Sequence, residues 1–100
     1  MFNRQRSREI DDFAIALARE FANRCPPGDR PDEPGRASKI ARAIDDACNR
    51  AAAYRREREL WMYGKAKLGT AFKMELKQLG YQAEFVNELT RLLLQTMSGK

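Results

Sequence analysis

Apolar side chains in this chain return every third or fourth residue, and nowhere do they alternate with polar ones long enough to build a convincing strand. Ile10, Phe13, Ala14, Leu17, Ala18 and Phe21 recur at i, i+3, i+4, i+7, i+8 and i+11, which is one continuous helical face. The residue supply points the same way. Only eight residues are β-branched against fourteen alanines, and most of the rest are good helix formers. The expectation is an all-α protein: a small four-helix, bundle-like single domain over residues 1–100, with an ordered core over about 7–98.

The spacing predicts a first helix over 7–24, with Ser7 as its N-cap. All four prolines then fall between Cys25 and Gly35, a segment of about eleven residues. Such a Pro-rich connector between the first two helices is expected to cross one end of a bundle or to stay mobile. A second helix follows from Ala37 or Ser38, with Ile40, Ala41, Ile44, Ala47, Cys48, Ala51 and Ala52 as a narrow, Ala-rich buried stripe. The next stripe is Leu60, Gly64, Leu68, Ala71, Phe72, Leu76 and Leu79, and it keeps helical register across Gly64. One helix from Ser38 to Leu79 would run about 63 Å at 1.5 Å per residue, whereas a domain of this size has a radius of gyration of about 13 Å. A break is therefore expected around Gly64–Gly69, giving helices over 37–63 and 69–79. Gly80 at C′, Tyr81 at C″ and Leu76 at C3 read as a Schellman stop. A last helix over 82–97 carries Phe85, Val86, Leu89, Leu92, Leu93, Leu94 and Met97 around most of its circumference.

Composition narrows the chemistry. The chain has no histidine and two cysteines, Cys25 and Cys48, set 23 positions apart. His-based acid–base catalysis, nucleophile–His triads and Cys/His zinc frameworks are thereby excluded, and the cysteine spacing reads as two reduced thiols. Asp11 and Asp12, like Asp45 and Asp46, are sequence neighbours and diverge by about 100° on a helix, so neither pair makes a carboxylate dyad. No glycine-rich phosphate loop is present. The reading is a cytoplasmic, non-enzymatic protein with no cofactor, no metal site, no membrane span and no evident small-molecule substrate.

Two surfaces are candidates for binding. The Leu-rich last helix is wider on its apolar side than one core-lining stripe requires, and Leu94 points about 100° away from Leu93. Val86, Thr90, Leu94 and Met97 are the expected interface of a homo-oligomer or of a protein partner, making the chain a small adaptor or regulatory module. The alternative is a nucleic-acid-associated factor, binding DNA or RNA. The chain carries a net charge of +5, concentrated in Arg50, Arg55, Arg56, Arg58, Lys65, Lys67, Lys73 and Lys77. Tyr54, Trp61 and Tyr63 lie among these cations and are placed to stack on bases if exposed. Glu57 and Glu59 interrupt the run, as they would on a solvated helix face. Residues 74–86 also have the outline of a helix-turn-helix. The would-be recognition helix, however, is Leu-rich with Arg91 as its only cation.

Overall fold

The computed structural model describes residues 4–28 and 33–98 of the chain. Within them the chain is four helices and no strand: α1 (Arg4–Arg24), α2 (Arg36–Arg58), α3 (Met62–Leu79) and α4 (Ala83–Ser98). The expected stripes turn inward except at Ala41 of α2, which is exposed while Ala43 is buried in its place. Ile10, Ala14, Leu17, Ala18 and Phe21 of α1, Ala43, Ala47, Cys48 and Ala51 of α2, Leu68, Phe72 and Leu76 of α3, and Val86, Leu89, Leu93 and Met97 of α4 form one contiguous buried core. The radius of gyration is 13.5 Å and the extents are 48 × 28 × 19 Å. Helix α2 is the longest helix, about 35 Å for 23 residues.

The helices alternate in direction along the chain, but they are not ordered round the bundle as they are in sequence. Most of the packing of α1 is on α3, and most of that of α2 is on α4; α3 also packs on α4, and α1 more thinly on α2. The ring order is therefore α1–α3–α4–α2. Asp11 meets Lys67 and Arg19 meets Glu75, so α1 and α3 run parallel with a constant offset of 56 residues. By contrast Glu9 meets Arg58, and Arg24 meets Asp46, so α1 and α2 are antiparallel.

The α2–α3 corner corrects the expected break. Helix α2 stops at Arg58, not near Gly64, and α3 begins at Met62 rather than 69. The stop is a Schellman turn on Glu59, which takes φ 52°, ψ 50°. The Glu59 N–H donates to the Arg56 carbonyl and the Leu60 N–H to the Arg55 carbonyl, with Leu60 buried at C″. Gly64 and Gly69 do not break anything. Both are buried within α3, where a missing Cβ lets a neighbour come close: Leu60 against Gly64, Leu94 against Gly69. A left-handed backbone costs a side-chain-bearing residue roughly 1–2 kcal/mol, and glycine gives back about 0.5–1 of that as unfolded-chain entropy. Glu59→Gly is therefore expected to raise stability by about 0.5–1 kcal/mol, read as a higher urea midpoint at unchanged slope.

The elbow at Gly80 is as the sequence predicts. Gly80 takes φ 106°, its N–H donates to the Lys77 carbonyl, and the Tyr81 N–H donates to the Leu76 carbonyl. Ser7 lies inside α1 rather than capping it, because the helix already begins at Arg4. Helix α2 starts at Arg36, directly after Gly35 in the left-handed region at φ 80°. Of the Pro-rich connector, residues 29–32 lie outside the described residues. Its first part is docked: Cys25 is buried, and its carbonyl accepts a hydrogen bond from the Tyr81 hydroxyl. Tyr81 and Phe85 stack at 5.3 Å between ring centroids, and Phe21 lies 5.9 Å from each. This aromatic cluster closes that end of the bundle.

Candidate functional site

The Leu-rich face of α4 is not a free surface. Val86 and Met97 are fully buried, Thr90 is buried, and Leu94 is half-buried against the notch at Gly69. The four residues do come together, but inward. The arc of α4 is wide because the helix packs on both α2 and α3, and the edge that seemed to want covering is covered by Gly69. The Thr90 hydroxyl is buried with no hydrogen-bond partner. Such a group costs about 1–3 kcal/mol of desolvation. Thr90→Val keeps the branched shape and removes the hydroxyl, so it is expected to stabilise the fold by about 1 kcal/mol, measured by thermal or urea unfolding.

The expected basic strip is dispersed. Arg50 pairs with Glu20 and lies 5.9 Å over the Phe13 ring; Arg58 pairs with Glu9 at 3.4 Å and lies 5.5 Å over the Tyr54 ring. Phe13 and Tyr54 are stacked at 3.9 Å, so the α1–α2 seam holds two aromatic rings between two guanidinium groups, each tied to a glutamate of α1. Arg55 is half-buried, with its Nε enclosed and without a partner. Lys65 reaches the Ser98 hydroxyl at the α3–α4 seam, and Lys67 pairs with Asp11 at 3.2 Å at the α1–α3 seam. Arg56 and Lys77 are exposed, as are the paired Arg50 and Arg58, and Lys73 is half-exposed. Acidic residues of α1 thus neutralise three of the eight cations, and the rest do not share one face. Of the three aromatics expected to stack on bases, Tyr54 is taken up by Phe13, whereas Trp61 and Tyr63 stand exposed.

The thiols are enclosed. Cys25 is buried although it sits beside two prolines, and burial pushes the Cys48 thiol up from its ordinary value, partly offset by its hydrogen bond with Thr96. Among the described residues no three carboxylates or thiols gather closely enough to hold a metal ion. Among the described residues no helix is long and apolar enough to cross a membrane.

What remains open is the outer side of α3. Trp61 is 83% exposed, Met62 80%, Tyr63 61% and Met74 56%, the only large apolar side chains so exposed among the described residues. Tyr63 and Met74 are the walls of a groove of about 580 Å³ between α1 and α3, floored by Ile15, Ala66 and Ala71. Trp61 is the N-cap residue of α3 and Met62 its first helical residue, directly preceding Tyr63 in the chain. The groove exists because α1 and α3 run parallel with small residues between them, and because the α2 stop at Glu59 resets the helical phase. Once Leu60 and Gly64 take the core, residues 61–63 are carried outward. The sequence held a signal for Tyr63 and Met74, since both lie opposite the Leu68–Phe72–Leu76 stripe at 100° per residue. Trp61 had no such signal while the α2–α3 boundary was placed beyond it. No protein family, curated protein or solved structure matches this chain, so the functional reading stands on this geometry.

Proposed function

We propose that this protein works by binding another protein, as a small non-enzymatic adaptor or regulatory module, and that the binding surface is the outer side of α3 with the α1–α3 groove rather than the apolar side of α4. One observation carries the reading: Trp61, Met62, Tyr63 and Met74 are exposed together beside a groove, while a complete core lies behind them. A folded chain with enough apolar residues to fill its interior has no packing reason to leave four large ones in water. Tryptophan, tyrosine and methionine are also the residues that supply anchoring area at interfaces.

The double variant Tyr63→Glu, Met74→Glu tests it. Both side chains face solvent, so helix content and melting temperature are expected to stay close to those of the parent. Protein partners retained by the immobilised parent chain, or its self-association in light scattering, should be lost in the variant. Equal retention by both proteins would sink the reading. Nucleic acid that co-elutes with both at low salt and strips off at high salt would replace it with the nucleic-acid alternative, whose support is the exposure of Trp61 and Tyr63 near Lys65 and whose weakness is the dispersal of the cations.

A further inference from the structure

Resting on that reading, we propose that the occupant of the α1–α3 groove is a single helix of another protein, apolar along one side and acidic along its flank. Length and shape come first. The groove runs beside α3 from Tyr63 to Gln78, about 22 Å at helical rise, the span of four turns or about fifteen residues. Its lining from α3 includes the short side chains Ala66, Thr70 and Ala71, which let a helix axis approach closely. Its walls are Tyr63 and the flexible Met74, a pairing suited to apolar anchors at i, i+3, i+4 and i+7 of an incoming helix.

Charge then selects the partner. Helix α3 carries four lysines and one carboxylate, and that carboxylate, Glu75, lines the groove but is buried there and bonded to Arg19 at 2.9 Å. The acid on the facing wall, Asp11, is already met by Lys67. On the α1 rim Arg8 and Asp12, four residues apart and both exposed, offset one another. Lys73 and Lys77 lie beside the apolar strip on the outer face of α3, and neither makes an ion pair among the described residues. The open rim is therefore positive with no unanswered acid on α3. A second copy docked by two-fold symmetry would set Lys73 and Lys77 against themselves, which disfavours a homodimer through this face. A nucleic acid would satisfy the lysines but leave Met62, Ala66 and Met74 without a role.

The test is selection of a displayed library of random peptides of about sixteen residues on the immobilised full chain, with Tyr63→Glu, Met74→Glu as the control surface and a labelled single-stranded oligonucleotide as a parallel probe. The expected result is enrichment of peptides with helically spaced apolar residues flanked by Glu or Asp. Their affinity should fall about tenfold or more on a Lys73→Glu, Lys77→Glu variant, and peptides with lysine in place of those acids should bind that variant instead. Face-dependent peptides with no acidic bias would overturn the inference and leave the binding reading standing. No face-dependent peptide at all would overturn both. Oligonucleotide binding that the Lys73→Glu, Lys77→Glu variant loses, without peptide enrichment, would give the groove to nucleic acid and overturn the inference as well.

Discussion

Alanine at Phe72 is expected to lower stability by about 3–5 kcal/mol, and to do so without any change at the groove. Phe72 is the largest wholly enclosed side chain among the described residues and sits midway along α3. Its ring is fully enclosed in the core, and α3 packs on both α1 and α4. Removing it deletes the transfer free energy of a phenyl group and leaves a cavity that rigid helices close only in part. A domain of this size has about 5–15 kcal/mol in total, so the variant should melt many degrees lower or be only partly folded at 25 °C. Met74→Ala, two positions along on the same helix but facing water, is the control. It should shift the urea midpoint by less than about 0.5 kcal/mol-equivalents. If the two variants are equally damaging, Met74 is part of the core and the exposed face of α3 does not exist.

Valine at Gly69 is the second large effect, expected at about 2–3 kcal/mol of destabilisation. A Cβ at this position would stand 2.8 Å from Leu94 Cδ2 and 3.3 Å from its Cγ. Alanine would push only the end of a flexible side chain, and its better helix propensity, about 1 kcal/mol over glycine, offsets much of that cost. Two further methyl groups on a β-branched side chain leave no such escape, because χ1 is restricted in a helix and Leu94 already lies between α3 and the rest of α4. The diagnostic is a pair of proteins: Gly69→Ala near neutral, Gly69→Val strongly destabilised, and Gly69→Val with Leu94→Ala partly rescued. A double-mutant cycle measures that coupling directly. Equal, additive losses would mean that the two helices do not touch through this notch.

The helices were legible in the sequence because an apolar period of 3.6 survives any tertiary arrangement that buries one side of a helix. The stripes of α1 and α3 were read residue by residue, and the Gly80 stop was read down to its capping positions. What the periodicity did not reveal was where the phase resets. Glycine was expected to end a helix, yet Gly64 and Gly69 are packing notches, while the chain turns at Glu59, a residue with no local preference for a left-handed backbone. That turn is fixed by Leu60 finding the core, a long-range cause invisible from the neighbouring residues. The same error explains the binding surface. An apolar residue is core or surface only relative to a phase, and with the phase carried through residue 61 the periodicity does not say on which side Trp61 falls. The excess width on α4 was real, but its cover came from Gly69, 25 positions away, rather than from a second molecule. The basic strip failed for a comparable reason: Glu9, Asp11 and Glu20 are far from it in sequence and next to it in space.

The ring order α1–α3–α4–α2 has a consequence for how the chain reaches this structure. In a bundle whose sequence neighbours pack side by side, every contact can grow from a hairpin. Here the principal partner of α1 lies 56 residues downstream, as the Arg19–Glu75 pair records, while α2 and α3 are joined by three residues yet sit across the diagonal. Closing the α1–α3 loop costs more entropy than closing the three-residue elbow at Gly80. The α3–α4 hairpin is thus the pair that chain entropy favours first, and α1 has its main docking surface only once α3 is in place. By the same loop-closure argument the N-terminal helix is expected to dock last, and the groove that marks the outside of this protein is completed only when it does.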